Sequence, residues 1–276
     1  MSDLATPAAG AASTQDAPWH GTFIWYELMT SDPDAAIAFY KAVAGWDAAD
    51  QTMADLDFRY TILSIGDRGV AGLMAINDEM KAGGMQPGWI GVIGVTDTDA
   101  AASDIKAAGA VHMGPDDIPN VGRFAVVADP GGAVFELMTP LPREEEPAPL
   151  DPQTPGKFSW HELYSGNGQA AAFDFYAGRF GWVTDTEMDM GEMGTYRIFS
   201  RDGVQLGGMM DKPAQMPAAA WAYYINVDGI DAAVERVNAN GGKVLMGPHE
   251  VPGGSWIVQC VDPQGAHFSL VSPGRR

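Results

Sequence analysis

The chain has 276 residues, 46% of them hydrophobic, and 36 Asp+Glu against 16 Lys+Arg give a formal charge of -20. That length suits two domains of ordinary size, and an anionic surface repels phosphate backbones and acidic headgroups, which argues against nucleic acid or a membrane as partner. A single cysteine, Cys260, excludes an intramolecular disulfide framework and a Cys-based zinc cluster, and no apolar run approaches the roughly 20 residues of a membrane span.

Residues 1–18 are small, polar and Pro-containing, without the basic and apolar regions of a signal peptide, and read as a disordered tail on a cytoplasmic protein. An alternating segment at Thr22 to Leu28 predicts a strand. Ser31-Asp32-Pro33 then offers a cap and a first-turn proline, and Ala35, Ala36, Phe39, Tyr40 and Val43 recur at helical spacing up to a stop at Gly45. Strands are expected at Tyr60 to Ile65 and Val70 to Ile76. The order repeats with a strand at Trp89 to Val95, a helix from about Asp99 to Ala108, and strands at Phe124 to Ala128 and Val134 to Met138 across a DPGG turn.

The whole pattern then recurs. GTFIWYEL (Gly21 to Leu28) returns as GKFSWHEL (Gly156 to Leu163), and FYKAVAGW (Phe39 to Trp46) as FYAGRFGW (Phe175 to Trp182). Tyr60 and Met74 match Tyr196 and Met210, Trp89 matches Trp221, and ADPGGAVFELMTP matches CVDPQGAHFSLVSP. The division expected is a first domain over 19–140, an acidic Pro-rich linker over 141–155 and a second domain over 156–273, each built of two βαβββ-like units.

FY…GW after the first helix and DP-x-G-x-x-F-E-L at the end of a unit resemble the vicinal oxygen chelate superfamily, which includes glyoxalase I, bleomycin-resistance proteins and extradiol dioxygenases. The resemblance spans Trp19 to Pro273 and is strongest to tandem glyoxalase-like proteins. It implies an α+β fold of two glyoxalase-like domains, in which paired modules curl mixed sheets around a concave pocket. It also implies that metal-dependent members take ligands from the first and last strands of paired modules. At those positions this chain offers Glu136 but, in the other half, Ser269. Counting back from Phe175-Tyr176 puts His161 on a first-strand ligand position, whereas the W-x-E-L motif puts Trp160 there. A four-ligand metal site is therefore not expected. A divalent metal on His161 and Glu136, assisted by Glu162 or His267, stays open.

Three carboxylates stand in apolar strands. Strand alternation places Trp25 with Glu27 and Trp160 with Glu162, and a carboxylate among aromatics has its pKa raised toward the range of a general acid or base; pairing with an arginine is the competing structural role. Glu136 in VFELM is the third candidate and has no carboxylate counterpart. Trp25, Trp89, Trp160, Trp221, Met74, Met210, Tyr60 and Tyr196 are the candidate substrate-binding residues, a set that suits a small apolar or aromatic molecule. No phosphate-binding glycine loop or nucleophile elbow is present in the sequence. The expectation is a glyoxalase-like small-molecule enzyme, an isomerase, lyase or tailoring activity on a carbonyl-type substrate that uses Glu27, Glu136 and Glu162. The alternative is a non-catalytic protein that sequesters an aromatic compound. Either is expected as a monomer or homodimer.

Overall fold

A computed structural model describes residues 17–51, 58–142 and 148–276. The expected tail falls almost wholly outside these residues, as does the EEEP stretch of the linker.

The first half runs β1 (Phe23–Thr30), α1 (Pro33–Ala44), β2 (Asp47–Gln51), β3 (Tyr60–Ile65), β4 (Arg68–Ala75), α2 (Asp78–Ala82), β5 (Gly88–Gly94), α3 (Thr98–Lys106), β6 (Ala110–Ile118), β7 (Gly122–Ala128) and β8 (Val134–Pro140). The second runs β9 (Phe158–Ser165), α4 (Gln169–Phe180), β10 (Val183–Asp189), β11 (Thr195–Arg201), β12 (Val204–Asp211), β13 (Ala220–Asn226), α5 (Ile230–Ala239), β14 (Lys243–Glu250), β15 (Trp256–Val261) and β16 (His267–Ser272). Local chemistry sets the punctuation. Asp32 caps α1 by accepting from the Ala35 amide, Pro33 opens the helix, and Gly45 ends it at φ 76°, a left-handed conformation that favours glycine.

Each half forms one eight-stranded mixed sheet, ordered β2-β3-β4-β1-β5-β8-β7-β6 in the first and β10-β11-β12-β9-β13-β16-β15-β14 in the second. The modules therefore pair within a half, across β1 against β5 and β9 against β13. Neither sheet closes into a barrel, because the two ends of each order do not bond to one another.

One face of each sheet is apolar and packs on helices and on the other half. Leu28, Leu73, Ile93, Phe135 and Leu137 fill this face in the first half and Leu163, Met209, Ile225, Phe268 and Leu270 in the second, all at most 3% exposed. The halves interlock by exchange. The Trp46 indole donates to Gly156 O at 2.8 Å and the Trp182 indole to Gly21 O at 2.6 Å, each reaching the segment that enters the opposite half's first strand. The opposite face carries the glutamates.

Candidate active site on the glutamate faces

Directly opposed residues of neighbouring strands share a face, so the registers define who meets whom. In the first half Glu27 lies opposite Gly72 and Ile90, Trp25 opposite Val92, and Val92 opposite Glu136. Tyr60 lies opposite Met74, which is opposite Met29. Trp25, Glu27, Tyr60, Met74 and Glu136 thus occupy one surface. The backbone of Gly72 makes this possible, since a Cβ there would collide with the Tyr60 hydroxyl and Glu27 Oε2.

Glu27 Oε1 accepts from the Tyr60 hydroxyl at 2.6 Å and from the Trp25 indole at 2.9 Å. Its other oxygen, Oε2, is buried with no partner among the described residues. Among the described residues no cation pairs with it, and burial outweighs the two hydrogen bonds, holding the carboxyl at about 7. Burial, reinforced by the negative charge of Glu27, pushes Glu136 well above the usual carboxylate range, and that carboxyl is 8% exposed. The face therefore presents one carboxyl that exchanges its proton near neutral pH and a second in which burial favours the protonated form.

The second half has diverged at the same positions. Trp160 and Glu162 repeat Trp25 and Glu27, and Tyr196 and Met210 repeat Tyr60 and Met74 on the same surface. Ser269 replaces the second carboxyl and is opposite Tyr224 and Gln259. Three further side chains converge here that sequence reasoning missed: Tyr164, Tyr224 and Gln259. The signal was available, because Tyr164 continues the alternation Trp160, Glu162, and Tyr164, Tyr224 and Gln259 stand where the first half has Met29, Val92 and Val126. The Tyr164 and Tyr224 hydroxyls donate to Glu162 Oε2 at 2.6 and 2.7 Å.

Several candidate residues lie elsewhere. Trp89 and Trp221 were expected to line a ligand pocket, but they oppose Leu28 and Leu163 on the apolar face and donate to the hydroxyls of Tyr40 and Tyr176 at 2.8 and 3.1 Å. They bind the helices to the sheets. His161 also faces the other half, not Glu136: its ring stacks on Phe23 with centroids 3.9 Å apart. Its Nδ1–H donates to Leu206 O and its Nε2 accepts from the Tyr26 hydroxyl, both at 2.5 Å. With both nitrogens engaged and burial lowering the imidazole to about 4, it is a neutral packing residue. The W-x-E-L alignment is the correct one because the turn between Glu162 and Phe175 is one residue longer than that between Glu27 and Phe39. His267 is exposed at the start of β16. A surface hollow of about 610 Å³ beside Trp19, Ile118, Arg123 and Leu141 lies at the β6–β7 edge, away from the glutamates.

Among the described residues no group of three His, Cys, Asp or Glu side chains could hold a metal ion. The first face offers two carboxyls and a phenol and the second one carboxylate with phenols. The phenols spend their protons on the carboxyls, Tyr60 on Glu27 and Tyr164 and Tyr224 on Glu162, which leaves two carboxyls on one face and one on the other, short of the three protein ligands of a divalent centre.

A tandem βαβββ arrangement that makes one eight-stranded mixed sheet per half defines the class of fold. The profile of the Glyoxalase/Bleomycin resistance protein/Dioxygenase superfamily matches residues 22–137 and 161–270, and the chain belongs to that superfamily. It is 30% identical over 254 residues to a protein of Mycobacterium tuberculosis named as a glyoxylase, CFP32, covering 92% of this chain and 95% of that one. It is 34% identical over 134 residues to the anthracycline biosynthesis protein DnrV of Streptomyces peucetius, covering 44% and 48%. In fold it resembles the Mn(II)-bound glyoxalase from Novosphingobium aromaticivorans, with TM-score 0.64 and 17% identity over 92% of this chain and 82% of that one. It also resembles the 2,3-dioxygenase LapB from Pseudomonas sp. KL28, with TM-score 0.61 and 14% identity over 91% of both chains.

Proposed function

We propose that the first half is the active site of an enzyme that moves protons next to the carbonyl of a small apolar or aromatic substrate. The observation that carries this reading is the buried Oε2 of Glu27, unpartnered among the described residues, on the same face as the buried carboxyl of Glu136. Such an oxygen costs free energy until a ligand supplies a donor, and a carboxyl at about 7 is matched to accepting a proton at neutral pH. In the reaction Glu27 takes the proton from the carbon beside the carbonyl while the Glu136 O–H supports the negative charge growing on the carbonyl oxygen. Delivery of that proton from Glu27 to the former carbonyl carbon, with the hydroxyl proton of an α-hydroxyketone passing to the former carbonyl oxygen, gives isomerisation. Delivery to a leaving group whose bond to the next carbon breaks as the C=C forms gives elimination. Either route returns Glu27 to the base form while Glu136 keeps its own proton. Trp25, Tyr60 and Met74 supply the apolar surround. The names of the relatives, a glyoxylase and a biosynthesis protein, agree with small-molecule chemistry.

The test is turnover in heavy water of a panel of aryl α-hydroxyketones and aryl β-hydroxyketones, each carrying a proton on the carbon beside the carbonyl, with deuterium uptake or a new product read by mass spectrometry. Glu27→Gln and Glu136→Gln should lose turnover by about 100-fold or more while still binding the compound. Unchanged turnover in both variants sinks the reading. Metal content of the active protein should stay well below about one equivalent after supplementation with Mn(II), Fe(II), Ni(II) or Zn(II).

A second reading, a binding protein without chemistry, draws on the second half, where Glu162 is held by phenols instead of standing beside another carboxyl. Saturable binding of aryl ketones with no product by mass spectrometry would favour it.

A further inference from the structure

The second glutamate face has no role in the proton chemistry above, and its hydrogen bonds have a direction. Glu162 is 7% exposed, and none of the ion pairs among the described residues includes it. Tyr164 and Tyr224 spend their hydroxyl protons on its Oε2. Those two oxygens in turn accept from Gln259 Nε2 at 2.7 and 3.2 Å, which uses the amide's donors and fixes its carbonyl as the free end. The Trp160 indole donates to Tyr196 at 2.9 Å, and the Tyr196 hydroxyl faces Glu162 as well. Every donor of the network is turned inward. What it can offer a ligand is lone pairs, a carboxylate and aromatic rings.

Buried carboxylates are ordinarily matched by a cation, and this one has only neutral phenols. The neighbouring hydroxyls hold their protons tightly: burial, then the negative charge of Glu162, pushes Tyr164, Tyr196 and Tyr224 upward. The first face differs in kind, because it sets two carboxyls on one surface, Glu27 and Glu136, where the second half has Ser269 in place of the second. We propose that the second half is a separate binding site for an organic ammonium group, seated on Glu162 among Trp160, Tyr164, Tyr196 and Tyr224. An ammonium brings donors and positive charge and no acceptor, the complement of an acceptor-only aromatic site. The net charge of -20 draws such ligands toward the protein without selecting where they bind.

The probe is 2-phenylethylammonium, compared with 2-phenylethanol and 3-phenylpropanoate on the full chain at about 0.15 M salt, which screens general attraction to the acidic surface. Binding is read by calorimetry and by the indole N–H resonance of Trp160. The ammonium should bind at least about tenfold more tightly than the alcohol, with the carboxylate compound weakest, and should shift the Trp160 resonance. Glu162→Gln should abolish the preference for ammonium over alcohol, and Glu27→Gln should leave it unchanged, so failure of this site and failure of the proton-transfer site are read separately. Tyr164→Phe keeps the ring and frees a lone pair of Glu162; it should retain or tighten ammonium binding, which guards against a misfolded Glu162 variant. Equal binding of ammonium and alcohol, no ammonium binding up to about 10 mM, or loss of binding in Tyr164→Phe would overturn the proposal.

Discussion

The Tyr40 hydroxyl in the first half donates to Asp262 Oδ2 in the second at 3.2 Å, and Tyr176 returns the contact to Asp129 Oδ2 at 3.1 Å. The FY and DP motifs that mark the family are thus two sides of one joint, made twice. Each aspartate also organises its own turn, Asp262 Oδ1 accepting from Gln264 and Ala266 and Asp129 Oδ1 from Ala133. Tyr40→Phe should therefore cost about 1–2 kcal/mol, and Asp262→Ala about 2–4 kcal/mol because it also orphans turn amides. Urea unfolding of the two single variants and the double variant checks this. The double variant should cost less than the sum, since both changes remove the same bond.

Glu27 gives the folded protein a pH slope of its own. Its carboxyl is held at about 7 against 4.5 for an unperturbed glutamate, so the folded state keeps a proton that the unfolded state releases. Stability from this group is complete below about 4.5 and is lost as pH rises through 7. Glu27→Gln, which removes the base, should stabilise the fold by about 1–3 kcal/mol at about pH 8 and by little at about pH 5. Denaturation at the two pH values measures it, and a gain that is equal at both would contradict the assignment. If the proposed chemistry holds, turnover by the native protein should rise as pH passes about 7, as Glu27 becomes the free base.

Gly72 sets the distance between the acid and its phenol. Gly72→Ala inserts a methyl group against Tyr60 Oη and Glu27 Oε2 on a surface that has no room for it. The expected result is a folded protein, destabilised by about 1–3 kcal/mol, whose kcat falls by about tenfold or more while its pH profile shifts. Gly208→Ala makes the matching intrusion beside Tyr196 in the second half and should leave kcat unchanged. Equal losses from both variants would mean that the two faces act together.

Much of this was legible in the chain itself, because the duplicated motifs fix the modules, and alternation from Trp25 and Trp160 puts Glu27 and Glu162 on a shared kind of surface. Strands β2 and β6 were not legible. Asp47–Gln51 is exposed at every residue and Ala110–Ile118 has no buried one, so these edge strands carry no apolar period to read. The placing of Trp89 and Trp221 failed for a different reason. A tryptophan in a strand suits either face, and only the cross-strand register with Leu28 and Leu163 decides between a ligand wall and the joint to a helix. The pairing of modules within a half was also beyond the sequence, since all four modules carry similar first strands and the choice rests on how β1 meets β5 in three dimensions.

His161 offers the sharpest separation of a packing role from a metal role. Its imidazole is lowered to about 4 from 6.5 by burial, so the unfolded chain takes up a proton that the folded chain refuses. The stability it contributes is present above about 6.5 and is lost as pH falls through that value toward 4. His161→Gln, which keeps polar atoms between Tyr26 and Leu206, should flatten this acid limb, so that native and variant proteins converge by up to about 2–3 kcal/mol between pH 7 and pH 4. Guanidinium melts across that range give the slope directly. Because the ring lies against Phe23 and the opposite half, turnover and metal content at neutral pH should be unchanged in this variant. A loss of bound metal or a collapse of turnover without a change in the acid limb would instead make His161 a functional ligand.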